Sequence, residues 1–260
     1  MIDAPTGAAE SEPPPLGGIQ RIARWVEMIG LFFVLPAVAA LIVDPARRAE
    51  GLFQSIGLGA LFDLPFATKR LLLPLLLLFT VAVVAWLMLD RTFDRRQLWN
   101  TTGLRREWRR VATLFVPGAV LMLAVAWAAD RFLDMPAGFG FLSLPRHHPL
   151  WLVIITIFYP WLSAYPQEIS HRTFFFHRYG SILGPASVLI AVNALAFAWL
   201  HAPFWNLWAF ALTLPGGILF AWTYARSRST LAATVEHAAY GWWAFFTGLG
   251  WFLYTGSIGS

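Results

Sequence analysis

The chain has 260 residues, a formal net charge of +5 at pH 7 and no cysteine. Hydrophobic residues make up 58% of it and charged residues 13%, about half the share that soluble domains carry. This composition excludes a soluble globular domain and predicts an integral membrane protein. The lack of cysteine excludes disulfides, thiol nucleophiles and iron–sulfur centres.

The N-terminal segment, residues 1–20, is rich in Pro, Gly and small polar residues. This composition predicts a disordered tail. The segment lacks the positively charged region with which signal peptides begin, so we do not interpret it as a cleavable signal peptide. We assign residues 21–260 to a single helical membrane domain and expect an all-α transmembrane bundle.

Apolar runs of about 18 residues or more are typical of membrane-spanning helices. The sequence predicts seven such helices, at about 25–43, 71–89, 111–133, 150–178, 186–201, 204–225 and 229–254. The interrupted apolar segment 49–66 is either an interfacial or re-entrant piece or an eighth helix. Pro160 and Pro166 predict a distortion of the fourth helix, because proline removes a helical hydrogen bond.

Basic residues are concentrated in the loop after the second predicted helix. They are Arg91, Arg95, Arg96, Arg105, Arg106, Arg109 and Arg110. Because cytoplasmic loops collect Lys and Arg, we place this loop and the N-terminus in the cytoplasm. The expected location is the plasma (inner) membrane of a bacterium-like cell. Basic residues at helix ends are topology signals, so the sequence predicts no nucleic-acid partner.

Two acidic residues follow Asp134 in the chain, Glu168 and Glu236, and both fall within predicted spans. An ionisable residue at membrane depth is costly and needs a partner, so each is a functional candidate. Glu168 and Arg172 are spaced i, i+4 and are therefore expected to pair on one helix face. The alternative is a self-neutralising pair that only ends the helix.

Two histidines, His201 and His237, lie in other predicted helices. A lone helical histidine is usually a packed or capping residue. However, a rise of about 1.5 Å per residue allows both to meet Glu168 within the bilayer. A carboxylate and two imidazoles suit hydrolysis by activated water, with one imidazole available to stabilise an oxyanion. The same groups could bind zinc, although the usual H-E-x-x-H spacing is absent.

Three motifs in these helices resemble those of the CAAX prenyl protease type II family, also called the CPBP or Abi family. The family patterns are E-E-x-x-x-R, F-x-x-x-H and H-x-x-x-N. The matching segments, within about 150–245, are Gln167-Glu168-Ile169-Ser170-His171-Arg172, Phe197-Ala198-Trp199-Leu200-His201 and His237-Ala238-Ala239-Tyr240-Gly241. The resemblance implies a helical membrane protease without an essential metal. In the family, a glutamate and the first histidine would activate water, and the second histidine and the asparagine would form the oxyanion site.

The chain departs from the family pattern at two positions. The first glutamate is Gln167, whose amide cannot accept a proton from water. The asparagine is Gly241, so one oxyanion donor is missing. Three accounts follow. A rotated or kinked helix could present Glu168 as the base, Glu236 could supply the carboxylate, or the chain could have kept the fold and lost the chemistry.

The hypothesis from sequence is an intramembrane endopeptidase that hydrolyses a peptide bond of a membrane-associated substrate. The alternative is a catalytically impaired family member that acts as a membrane-embedded binding or partner subunit. Expected partners are membrane lipid and a protein or peptide substrate, with or without a lipid modification. No cofactor is expected, and zinc is the minority alternative. The assigned residues are Glu168, His201 and His237 as catalytic; Gln167, Arg172 and Glu236 as supporting; and Phe197 and Gly241 as motif positions without an assigned role.

Overall fold

The computed structural model describes residues 16–43, 50–62 and 69–253, which are helical and contain no strand. Nine α-helical elements are distinguished in this part of the chain. They are α1 (Gly18–Ile42), α2 (Glu50–Ser55), α3 (Lys69–Leu89), α4 (Thr101–Phe132), α5 (Ser143–His147), α6 (Pro149–Leu183), α7 (Ala186–Phe204), α8 (Leu207–Ser227) and α9 (Thr230–Thr247). Most of the predicted tail, residues 1–15, lies outside the described residues, and α1 begins at Gly18.

Six of these helices, α1, α3, α4, α6, α7 and α8, are long and apolar enough to cross a membrane. The chain is therefore a multi-pass, all-α membrane protein, as predicted. The predicted count of seven spanning helices, or eight, is not confirmed. The predicted seventh span is present as α9, but it carries several polar residues that turn inward instead of facing lipid. The buried polar residues of α9 are Thr230, Thr234, Glu236, His237 and Thr247.

The predicted boundaries of α4 differ from those in the structure. The helix begins at Thr101, where the sequence predicted residue 111, and its first turns carry the basic residues assigned to a loop. Asn100 explains this start, because its side chain accepts a hydrogen bond of 2.9 Å from the Gly103 amide and so caps the helix. Within segment 49–66, the described residues form only α2 and a 3₁₀ turn at Gly59–Phe62, while residues 63–66 lie outside them.

The predicted distortion of α6 takes the form of two π-helical turns, Pro160–Ala164 and Ile169–Phe174. They flank a single α-helical turn, Tyr165–Glu168. A proline ring collides with the carbonyl four residues earlier in a regular helix, and a wider turn relieves this collision. The hydroxyl of Ser170 donates to the Pro166 carbonyl at 3.0 Å. The residues of the first motif therefore sit on irregular helix.

Close packing holds the neighbouring helices against α6. Phe32 of α1 meets His171 and Phe175 edge-on, with ring centroids 5.1 and 4.9 Å apart. A Cβ atom on Gly217 of α8 would lie 3.2 Å from the backbone of Ala194 in α7, so a small residue is needed at this crossing. These contacts hold α1 against α6 and α8 against α7.

A polar contact at the end of α3 ties this helix to α6. Asp90 Oδ2 lies 3.0 Å from His177 Nε2, and Asp90 Oδ1 accepts hydrogen bonds from the Thr92 amide and hydroxyl. Partial burial raises the pKa of the Asp90 carboxyl, but the bonds from His177 and Thr92 outweigh it and lower this pKa to about 2. The charged carboxylate is therefore the form that the fold favours.

We expect Asp90→Asn to destabilise the protein at neutral pH. The folded-state pKa lies below the unfolded one, so the contribution of Asp90 is present above about pH 4 and is lost as the pH falls towards about 2. Thermal unfolding of native and variant protein in detergent from pH 7 downwards measures this. Asp134→Asn, at an exposed position, is the control. A difference between native and Asp90→Asn that stays constant down to about pH 2 would contradict the assignment.

Candidate active site

A cavity of about 1000 Å³ lies between α1, α3, α4, α6, α7, α8 and α9. Its wall consists mostly of Leu, Phe, Ile, Ala and other apolar side chains. Side chains that can form hydrogen bonds are concentrated where α6, α7 and α9 meet. Those central to the site are Tyr159, Gln167, His171, His201 and His237. A largely apolar pocket with a few convergent polar groups is the usual form of a binding or active site.

Glu168 lies directly behind this wall and does not border the cavity. Its Oε1 atom is 2.9 Å from Nδ1 of His237, which does border the cavity. Its Oε2 atom forms an ion pair of 3.2 Å with Nε of Arg172. The predicted i, i+4 pair is confirmed, and the carboxylate reaches the cavity through an imidazole.

Arg172 is completely buried and contacts Asn193 and Phe197 besides Glu168. Its Nη1 donates to Asn193 Oδ1 at 2.8 Å, and the Asn193 amide in turn donates to the His171 carbonyl. Its guanidinium lies 4.5 Å above the ring of Phe197, within the range of a cation–π contact. Asn193 and Phe197 therefore fix the guanidinium that balances Glu168.

The Phe197 ring also contacts the three imidazoles of the site. Its centroid lies 5.1 Å from that of His201, 5.4 Å from that of His237 and 5.7 Å from that of His171. Phe220 stacks on the other side of His237 at 4.7 Å. Phe197 is therefore a packing residue that spaces the charged and titratable groups of three helices.

The hydrogen bonds of the two motif histidines determine their tautomers. Nδ1 of His201 lies 2.9 Å from the Phe197 carbonyl, which can only accept, so Nδ1 carries the hydrogen. Nδ1 of His237 faces Glu168, which accepts when ionised. In the neutral form of each imidazole, Nε2 is then an acceptor that bonds to no residue in the described part of the chain. Both rings border the same cavity, and Glu168 lies behind His237.

Gln167 borders the cavity directly. Its amide group donates to Ser163 Oγ at 2.9 Å, which leaves the amide oxygen buried with no hydrogen-bond partner among the described residues. Despite the two π-helical turns, Gln167 faces the cavity and Glu168 does not. The account in which a distorted helix presents Glu168 to the substrate is therefore not supported by the geometry.

Glu236 belongs to a second polar cluster and does not border the cavity. Its Oε2 accepts a short hydrogen bond from Thr223, and its Oε1 lies 3.9 Å from Nη2 of Arg110. Arg110 also donates to Glu107 at 2.8 Å. Glu236 faces away from the cavity because residues 236 and 237 are about 100° apart around α9. The account in which Glu236 supplies the carboxylate has no geometric support.

Gly241 lies one turn after His237 and borders the cavity beside Tyr159. A Cβ atom at Gly241 would collide with the hydroxyl and ring of Tyr159, so no side chain fits at position 241 while Tyr159 keeps its place. Tyr159 was not predicted from the sequence, because it lies outside the three motifs and nothing in its own neighbourhood marks it. Only the motif position of Gly241 pointed to this part of the cavity.

The zinc alternative requires three ligands within reach of one ion. Among the described residues, no group of three or more His, Asp or Glu side chains is arranged to hold a metal ion. The two acidic side chains nearest the cavity are committed elsewhere, Glu168 to His237 and Arg172 and Glu236 to Thr223 and Arg110.

Residues 149–243 match the family model described as type II CAAX prenyl endopeptidase, Rce1-like. The match contains all three motifs, so the resemblance identified from the sequence is confirmed. Searches of the curated proteins and of the solved structures gave no significant match. The matched region is similar to a family of proteases, which is consistent with a peptidase.

Proposed function

We propose that this chain, through its Rce1-like region, is an intramembrane endopeptidase that hydrolyses a peptide bond of a membrane-associated protein or peptide. The observation that carries the proposal is the 2.9 Å contact between Glu168 and His237 at the wall of the cavity. A buried carboxylate that holds one imidazole nitrogen leaves the other nitrogen oriented towards bound water. This arrangement supplies a base although Gln167 cannot act as one.

In the proposed reaction, Nε2 of His237 takes a proton from water while the water oxygen attacks the carbonyl carbon of the scissile bond. The carbonyl π electrons move onto its oxygen and form a tetrahedral oxyanion. When the oxyanion collapses, the C–N bond breaks and the His237 imidazolium gives its proton to the leaving amine. The products are a carboxylate and an amine. Glu168 acts through His237 as a positioning residue and balances the transient imidazolium.

His201 has a separate part in this proposal. Its Nδ1–H is committed to the Phe197 carbonyl, so its Nε2 can accept a hydrogen bond from the same water and orient it. The roles therefore differ from those expected from sequence, where Glu168 activated water and His237 stabilised the oxyanion. No metal takes part in the proposed steps.

The cavity indicates the class of substrate. The volume and the mostly apolar lining of the cavity suit an extended peptide with a hydrophobic or lipid group, and spanning helices surround the cavity. We further propose the plasma (inner) membrane of a bacterium-like cell as the location, with the N-terminus in the cytoplasm, on the basis of the basic residues after α3.

A second candidate function is a binding or partner subunit without turnover. One observation favours it: the Gln167 amide occupies the cavity wall with an unpartnered oxygen, where a glutamate would serve as a base. In that case the apolar cavity would hold a peptide or lipid chain without cleaving it.

The test is a cleavage assay with fluorescence-quenched peptides, prenylated and unmodified, and protein in phosphatidylethanolamine–phosphatidylglycerol vesicles. We expect native protein to cleave and His201→Ala to lower kcat by about 10- to 100-fold, because the water loses an orienting acceptor. We expect EDTA to leave the rate unchanged, whereas inhibition by EDTA would revive the zinc alternative. His147→Ala, at an exposed position at the end of α5, is the matched histidine control.

Gln167→Glu separates the two candidate functions. If the native chain cleaves neither peptide and Gln167→Glu creates cleavage, the chain is a binding subunit on an intact protease scaffold. If native protein and Gln167→Glu are both active, a base other than residue 167 already operates, as proposed.

A further inference from the structure

We propose that the hydroxyl of Tyr159 is the hydrogen-bond donor that stabilises the oxyanion in this cavity. The inference rests on the proposed peptidase function and names a catalytic residue for it. Tyr159 lies in α6, outside the three sequence motifs, and its side chain borders the cavity next to His237.

The position of the hydroxyl is the first observation. Gly241 follows His237 by four residues, so both lie on one face of α9. A Cβ atom at Gly241 would collide with the hydroxyl oxygen of Tyr159 and with its ring. The Tyr159 hydroxyl therefore occupies the space that a side chain at position 241 would fill, one turn from the proposed base.

The second observation is that this hydroxyl is uncommitted. The Tyr159 side chain is half-buried at the cavity wall, and its hydroxyl makes no hydrogen bond to any residue in the described part of the chain. Two other hydroxyls of the cavity wall are committed, because Tyr240 donates to the Leu114 carbonyl at 2.9 Å and Thr213 donates to the Ala209 carbonyl at 2.6 Å. The hydroxyl of Tyr159 is thus available to a ligand.

The third observation concerns the other polar groups at the reacting centre. The Nδ1–H groups of His201 and His237 point to Phe197 and Glu168, which leaves two Nε2 acceptors towards the cavity. The Gln167 amide is anchored to Ser163 by one of its two N–H groups. An oxyanion formed next to His237 needs a donor at about 2.7–3.1 Å, and the Tyr159 hydroxyl can supply it while keeping its proton.

The ring of Tyr159 is held in place from two sides. Its centroid lies 6.0 Å from that of His237 and 5.6 Å from that of Phe245, with both pairs edge-on. Pro160 follows it directly and begins the first π-helical turn of α6. A donor fixed in advance loses little freedom when the charge forms, which is the condition for effective stabilisation.

Tyr159→Phe tests the inference, because it removes the hydroxyl and keeps the ring contacts. In the peptide-cleavage assay we expect kcat to fall by roughly 100- to 1000-fold and KM to stay within about threefold. Tyr165→Phe is the matched control, since its hydroxyl donates to the Leu98 carbonyl and its side chain does not border the cavity. A Tyr159→Phe variant that keeps more than about a third of the native kcat overturns the inference.

An exchange of side chains distinguishes a donor from a packing residue. Tyr159→Ala frees the volume beside Gly241, so adding Gly241→Asn places an amide donor in the same space. We expect this double variant to recover at least about tenfold in kcat over Tyr159→Ala alone, whereas Gly241→Asn in the presence of Tyr159 lowers activity through collision. No recovery in a folded double variant counts against the donor role.

The outcomes separate this inference from the function on which it rests. If native protein cleaves and Tyr159→Phe cleaves equally well, only the role of Tyr159 is rejected. If native protein cleaves neither the prenylated nor the unmodified peptide, the peptidase proposal fails and the inference fails with it.

Discussion

Replacing His237 with alanine should lower the peptide-cleavage rate by about 100- to 10,000-fold, the range by which a positioned general base accelerates a reaction. The reason is the pairing of His237 with Glu168, which orients its second nitrogen towards water in the cavity. The loss should appear in kcat, with a smaller change in KM, because the imidazole acts on water and not on the bulk of the substrate.

Measurement of kcat and KM in the vesicle assay checks this expectation, with His147→Ala as the control. Thermal unfolding of the His237→Ala protein establishes that the variant is folded. A folded His237→Ala variant with a rate within about threefold of native would remove His237 from the mechanism.

Removing the Glu168 carboxylate should have the largest effect on stability. In Glu168→Leu, the buried guanidinium of Arg172 loses its counter-ion, and breaking one partner of a buried ion pair costs about 3–5 kcal/mol. The Asn193 and Phe197 contacts remain but cannot neutralise the charge. The free energy of unfolding in mixed micelles, measured by denaturant titration, reports this loss.

The compensating double variant Glu168→Leu with Arg172→Met tests this explanation. Replacing both members of a buried pair by apolar side chains is often neutral or stabilising, so we expect most of the lost stability to return. Asp134→Leu, at an exposed position, should change stability by no more than about 0.5 kcal/mol. A double variant as unstable as Glu168→Leu would show that charge compensation is not the function of the pair.

The three motifs illustrate how far spacing along the sequence predicts a site. Helix rise predicted that Glu168, His201 and His237 lie at comparable depth, and in the structure both histidines border one cavity while Glu168 contacts His237. The spacing did not predict which neighbouring residue faces the cavity: Glu168 lies behind its wall and Glu236 belongs to the cluster with Arg110. Depth follows from counting residues, whereas the face that a residue presents depends on how each helix is rotated against its neighbours.

The helix boundaries show the same limit of prediction from the sequence. The apolar runs predicted the spanning helices well, since transfer of apolar side chains to lipid depends on composition alone. The start of α4 was missed because Asn100 caps a helix that continues through basic residues. The predicted count of seven or eight spans is not confirmed, because α9 buries polar residues against other helices and its composition reflects a protein environment.

The sequence alone determined that this is a multi-pass helical membrane protein, that Glu168 and Arg172 pair, and that the motif region resembles a protease family. These conclusions depend on composition and on spacing within a single helix, which are local properties. The tertiary structure decided that Gln167 borders the cavity and that Glu168 reaches it only through His237. It also placed the Tyr159 hydroxyl in the space left by Gly241. Those relations join residues on different helices, and only the packing and rotation of the helices fix them.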